Sequence, residues 1–229
     1  MRLDKFLSHT TDLSRSEAKR AIKSGRVTVN QHTATSGNQP VQAEDTVCLD
    51  QREVTLQGAR YFMLFKPAGY VCASHDPDHP VVMDLITEPA RNRLHVAGRL
   101  DKDTTGLVLI TDDGQWSHRA TAPGKNTFKR YRVEVAEPVT PDSIKSLEAG
   151  IQLKNEDKPT LPARVIVLDE RKLLLSINEG RYHQVKRMLA ATGNRVTALH
   201  REAVGAIELD PELPPGHYRP LSEAEINSF

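Results

Sequence analysis

Gly98-Arg99-Leu100-Asp101-Lys102-Asp103-Thr104-Thr105-Gly106-Leu107-Val108-Leu109-Ile110-Thr111 runs from a polar turn into a continuous apolar stretch. A short apolar run bounded by glycine and by Asp112-Asp113-Gly114 predicts a buried strand over 106–111. Asp113-Gly114 predicts a tight turn after it. Outward from this segment, residues 61–65, 130–135, 163–168 and 172–177 have strand character, and 141–147 and 184–192 have helical character. Strands with a few helices and no regular alternation predict an α+β domain with a mainly antiparallel mixed sheet.

The chain has 229 residues, enough for one large domain or a small one joined to a medium one. Hydrophobic residues make up 38% and charged residues 27%, the balance of an ordinary folded protein. No apolar stretch approaches the roughly 20 residues of a membrane span. Met1-Arg2-Leu3-Asp4-Lys5 lacks the apolar centre of a secretory signal, so a cytoplasmic protein is expected. Cys48 and Cys72 supply neither a disulfide framework nor zinc spacing. With no long heptad and no exposed apolar strand in prospect, a monomer is expected.

The net charge of +1 does not announce a polyanion partner, but its distribution is uneven. Met1–Asn30 carries a local net of +4 from seven basic and three acidic residues. Gly114–Val133 and Arg181–Arg201 each carry +5 with no acid. Three such segments fit either a patterned face for phosphates or three solvated surfaces.

Near the N-terminus, Leu3, Phe6 and Leu7 share one helical face. Ser14-Arg15-Ser16-Glu17 has the form of a capping box, with Leu13 and Ala18 placed as its hydrophobic staple. Gly25 suits the end of that second helix. Arg15, Lys19 and Lys23 recur every four residues on an exposed face; their mutual repulsion costs some tenths of a kcal/mol, which a polyanion would offset. Strands are expected at 27–29 and around 46–49. Arg2-Leu3-Asp4-Lys5-Phe6-Leu7, Ser14-Arg15 and Gly25-Arg26-Val27-Thr28-Val29-Asn30 together resemble the S-four domain, a small RNA-binding fold, over about the first fifty residues. The polar stretch between Gln51 and Arg60 suits a linker, which divides the chain into a domain of residues 1–58 and a second of 59–229.

Asp101 is a carboxylate in a polar turn that feeds a buried strand. Ionised at neutral pH, it is able to attack a sugar carbon or take a proton, although aspartate before Thr-Thr-Gly is commonly only a turn residue. The segment from Gly98 to Gly114 resembles the signature of rRNA pseudouridine synthases of the small-subunit and large-subunit branch. The likeness continues through Lys66-Pro67-Ala68-Gly69-Tyr70, Lys129-Arg130-Tyr131, Glu179-Gly180-Arg181-Tyr182-His183-Gln184-Val185-Lys186-Arg187-Met188 and Leu199-His200-Arg201. Tyr61-Phe62-Met63-Leu64 and Asp76-Pro77-Asp78-His79-Pro80 draw it toward members that act on one uridine of 16S rRNA.

The resemblance implies Asp101, Tyr131 and Lys186 as the catalytic set. Asp101 would attack the anomeric carbon or take a ribose proton, Tyr131 would stack on the detached uracil, and Lys186 would pair with Asp101. Arg99 would enter the space left by a flipped base. Lys129 would support Tyr131 or a phosphate, and Arg187 would bind RNA or share the pairing role of Lys186. Arg15, Lys19 and Lys23 would bind RNA from the first domain. The partner would be rRNA, naked or in an assembly intermediate. Exchange of one bond for another within the substrate requires no cofactor. His75 and His79 lie four apart, but Pro77 and Pro80 forbid the helix that would bring them onto a metal. Trp116 and Phe128 suit base stacking or core packing alike. Alternatives are the same chemistry on 23S rRNA, a non-catalytic RNA-binding assembly factor, or a hydrolase that removes the base.

Overall fold

A computed structural model describes residues 1–55, 58–122 and 127–229. Gln57 of the expected linker and Lys125 of the second basic segment lie outside the described residues. Contacts divide the chain into two compact units, Met1–Arg60 with Ile86–His95, and Tyr61–Leu85 with Val96–Phe229.

In the first unit, helices α1 (Leu3–Thr10) and α2 (Arg15–Lys23) accompany strands β1 (Val27–Val29), β2 (His32–Thr33), β3 (Val47–Leu49) and β4 (Arg52–Glu53). The strands form an antiparallel sheet in the order β2-β1-β3-β4. Leu3, Phe6 and Leu7 of α1 join Ala18, Ala21 and Ile22 of α2 and the inward valines of the strands in one core. Full burial of each larger side chain contributes about 1.5–3 kcal/mol. The capping box forms as expected: Glu17 N donates to Ser14 Oγ at 3.3 Å, and Ser14 N donates to Glu17 Oε2 at 2.8 Å. Gly25, at φ +73°, ends α2 with Gly25 N donating to Ile22 O and Arg26 N to Ala21 O.

The second unit is built on β5 (Tyr61–Lys66), β6 (His95–Ala97), β7 (Thr105–Thr111), α3 (Gly114–Thr121), β8 (Lys129–Val135), α4 (Pro141–Ala149), β9 (Arg164–Asp169), β10 (Lys172–Ile177), α5 (Gln184–Ala191), β11 (Val196–Val204), β12 (Ile207–Glu208), β13 (Tyr218–Pro220) and α6 (Glu223–Ile226). The sheet runs β13-β5-β7-β11-β8-β10-β9, with β6 on β7 and β12 on β11. Among the described residues only β7 and β11 pair in parallel, so the sheet is mixed and mainly antiparallel. Leu107 and Leu109 of β7 pack with Met63, Trp116, Val204 and Ile207.

Two expectations change, and one open alternative is resolved. Asp113-Gly114 starts α3 instead of forming a tight turn: the Asp113 carboxylate accepts from Gln115 N at 2.9 Å and Trp116 N at 3.0 Å, so it is an N-cap. Trp116 is core, 1% exposed, with its indole N–H donating to Ile226 O, and Arg164 lies 3.9 Å over the Phe128 ring. β9 is an edge strand whose Ile166, Val167 and Leu168 are exposed. The premise that no apolar strand is exposed therefore fails. Among the described residues no helix is long and apolar enough to cross a membrane.

Candidate active site

The turn ahead of β7 is held from beneath by two buried cations. Lys66, the last residue of β5, donates from Nζ to the carbonyls of Pro67 (3.1 Å), Lys102 (3.1 Å) and Thr104 (2.7 Å). Arg201 of β11 donates from Nε to Leu107 O (2.8 Å), from Nη1 to Arg99 O (3.3 Å) and from Nη2 to Gly98 O (2.8 Å). Lys66 and Arg201 are almost wholly buried, so these bonds substitute for the water both charges have lost. Burial pulls the Lys66 ammonium below the ordinary lysine range, while Cys72, Asp103 and Asp101 oppose that shift. Gly106 permits the close approach of β7 to β11: a Cβ there would lie 2.3 Å from Arg201 O, and its φ is +109°.

Asp101 projects from this supported turn into a cavity of about 580 Å³. Its side chain is 26% exposed, with Oδ2 3.0 Å from Lys186 Nζ and Oδ1 3.4 Å from His183 Nε2. Lys186 also reaches Asp103 Oδ1 at 2.6 Å. Burial draws the Lys186 ammonium down, but its bonds to Asp103 and Asp101 outweigh that and raise it above the ordinary lysine value. The bond from Lys186 holds the Asp103 carboxyl below its ordinary range against burial. Both charged forms are therefore maintained at neutral pH.

The expected residues divide clearly. Asp101, Tyr131, Lys186, Arg99 and Lys129 all line the cavity. Tyr131 and Lys129 alternate with outward residues along β8 and are 7% and 6% exposed. Arg187 turns elsewhere, to Glu156 at 2.8 Å and the carbonyl of Lys154 at 2.7 Å, so it is not the partner of Asp101. On the first unit, Arg15 and Lys19 approach the buried Asp4 at 3.5 and 3.8 Å. Lys19 and Lys23 edge a shallow groove with Ser36 and Gly37.

Local charge counts overstated the free cations. Arg130 and Arg132 close on Glu202 at 3.2 and 2.6 Å, and Arg181 on Glu179 at 3.1 Å, all acids from outside the two acid-free segments.

The profile of the RNA pseudouridylate synthase family matches residues 60–191, and that of the S4 domain matches residues 1–47. The ribosomal small subunit pseudouridine synthase A of Vibrio vulnificus is 51% identical over 230 residues, covering 100% of this chain and 99% of that relative. The protein of the same name from Escherichia coli is 50% identical over 229 residues, with the same coverage. The chain belongs to the RNA pseudouridylate synthase family. A solved structure described as a pseudouridylate synthase superposes with a TM-score of 0.72 at 44% identity, over 100% of this chain and 99% of that one.

As an RNA pseudouridylate synthase the protein is an isomerase: it detaches uracil from ribose at N1 and rejoins it at C5. Asp101 and Tyr131 present a carboxylate and an aromatic ring to the same cavity. Residues without an expected role now have positions. His183 takes a left-handed conformation, φ +48°, at the start of α5, which brings its ring to Asp101. Tyr182, 77% exposed, stacks on that ring at 3.8 Å. Lys66 and Arg201 lay in motifs visible in the sequence, yet nothing local reveals that their partners are backbone carbonyls up to 103 residues away.

Proposed function

We propose that this synthase converts one uridine of 16S rRNA to pseudouridine, with Asp101 as the catalytic carboxylate. The observation that carries the site assignment is the Asp101–Lys186 pair, 3.0 Å apart at a cavity lined by Tyr131 and Arg99. The small-subunit relatives, matched along their whole length, support the choice of 16S over 23S rRNA. The uridine flips out of its stack, Arg99 occupies the vacated space, and Tyr131 stacks on the freed uracil. Asp101 bonds to the anomeric carbon or removes a ribose proton to give a glycal, and Lys186, 3.0 Å away, orients it.

Residues 1–58 dock the RNA through Arg15, Lys19 and Lys23, and residues 59–229 carry out the chemistry, with Arg187 adding to the RNA contacts. The enzyme acts in the cytoplasm on rRNA or on a small-subunit assembly intermediate.

The test is pseudouridine mapping of rRNA from deletion cells that carry wild-type protein or Asp101→Asn. Restoration of one 16S site by wild type alone is expected. A restored 23S site would overturn the substrate, and equal restoration by Asp101→Asn would overturn the catalytic role. No change at any site would favour a non-catalytic assembly factor.

A further inference from the structure

Beyond the Asp101 pair, the cavity contains a charge that this scheme leaves without work. Lys129 is a buried lysine, 6% exposed, on the cavity-facing side of β8 next to Tyr131. Among the described residues its ammonium has no hydrogen-bond or ion-pair partner. The other cations of the cavity are engaged or solvated. Lys186 is held by Asp101 and Asp103, Arg181 by Glu179 and Arg201 by backbone carbonyls, while Arg99 and Lys102 are exposed. Charged groups around Lys129 act in opposite senses: Arg201 on β11 repels its ammonium and Glu179 beyond β10 attracts it. Burial is the largest influence and holds the ammonium below the ordinary lysine range. Without a partner in the protein, the ammonium opens onto the cavity, where a ligand of opposite charge is its natural counterpart.

The isomerisation itself generates one. When the N1–C1′ bond breaks, its electron pair stays with N1, and the negative charge spreads over the ring to O2 and O4. C1′ is meanwhile bonded to an Asp101 oxygen, or part of a glycal after Asp101 has taken the C2′ proton. In the second half C5 bonds to C1′, the Asp101 oxygen departs or the proton returns to C2′, C5 loses its proton and N1 gains one. The uracil is therefore an anion only between the two bond changes.

We propose that the Lys129 ammonium is a catalytic group that donates a hydrogen bond to the detached uracil anion and neutralises it. The idea rests on the reading of Asp101 as the group at the sugar. It assigns Lys129 to the transition state and intermediate instead of to a ground-state phosphate. An interaction made only as charge develops appears in the rate at saturation and not in substrate affinity.

The test compares wild type, Lys129→Met, Lys129→Gln and Asp101→Asn on an rRNA fragment modified by wild type. Single-turnover rates at saturation, RNA dissociation constants and thermal midpoints are measured for each. Lys129→Met preserves the buried stem and removes the unpaired charge, so its thermal midpoint is expected to match or exceed that of wild type. Its saturating rate is expected to fall at least about 100-fold with affinity within about threefold, and the Gln variant to lie between. A Met variant that retains the wild-type rate overturns the proposal, as does a loss confined to affinity or one that tracks a lowered midpoint. The Gln variant serves the same comparison if Met folds poorly. Conversion by Asp101→Asn at the wild-type rate would instead remove the reading on which the proposal rests, whatever Lys129 does.

Discussion

The tetrapeptide Arg-Leu-Asp-Lys occurs twice, at residues 2–5 and 99–102, and the two copies have opposite fates. In the first, Asp4 enters the opening turn of α1, where its carboxylate is wholly buried and ringed by Arg2 at 2.7 Å, Arg15 at 3.5 Å and Lys19 at 3.8 Å. In the second, Asp101 stands in a turn outside any helix or strand, facing a cavity, with one ammonium at 3.0 Å. The leucine is buried in both. What differs is the neighbourhood: a helical pair that consumes the Asp4 charge, and a carbonyl-anchored turn that leaves Asp101 accessible. Identical local chemistry becomes scaffold in one place and a candidate reactive group in the other.

The sharpest way to break this contrast is to neutralise each carboxylate. Asp101→Asn is expected to lower the saturating single-turnover rate at least about 10³-fold while leaving the thermal midpoint within a few degrees, as checked by pseudouridine formation and by calorimetry. If both aspartates were structural, the loss would follow the midpoint.

Next in size is the frame of the second copy. Gly106→Ala places a methyl against Arg201 O at 2.3 Å in a backbone region hostile to side chains. It is expected to cost about 3 kcal/mol or more in urea unfolding and to depress the rate through the displaced turn.

Asp4→Asn should do the reverse of Asp101→Asn, costing about 1–3 kcal/mol with the saturating rate retained. Burial alone would raise the Asp4 carboxyl, but the bond and charge of Arg2 and the charge of Arg15 lower it below its ordinary 3.8. A depressed carboxyl adds stability that is complete above pH 3.8 and is lost as pH falls through the lower folded value. The midpoint of Asp4→Asn should therefore fall less steeply than that of wild type below about pH 4.

The smallest effect tests the outward face of α2. Lys23→Gln is expected to leave stability unchanged and reduce the salt dependence of RNA binding by about one phosphate contact. An unchanged salt slope would remove Lys23 from the interface.

Much of the architecture was legible because it follows from periodicity and from contacts a few residues apart. The amphipathic face of α1, the Ser14–Glu17 capping box and the Gly25 ending of α2 are local matters. So are the strands, whose apolar runs match a sheet buried on its inner positions. Asp113-Gly114 misled because a turn signal and a helix N-cap use the same residue types, and only the strand partner that failed to follow distinguishes them. The exposure of Ile166, Val167 and Leu168 was not legible because it follows from the place of β9 at the sheet edge.

At the candidate site, the residues chemically able to serve could be read from the chain: Asp101, Tyr131, Lys186, Lys129 and Arg99 all come from motifs with recognisable order. The fold assigned each charge its partner. It removed Arg187 to Glu156, closed Arg130 and Arg132 on Glu202, and set Lys66 and Arg201 under the Asp101 turn. The physical reason is that the energy of a charge depends on its solvation and on partners within a few ångströms, and the chain brings those partners from tens of residues away.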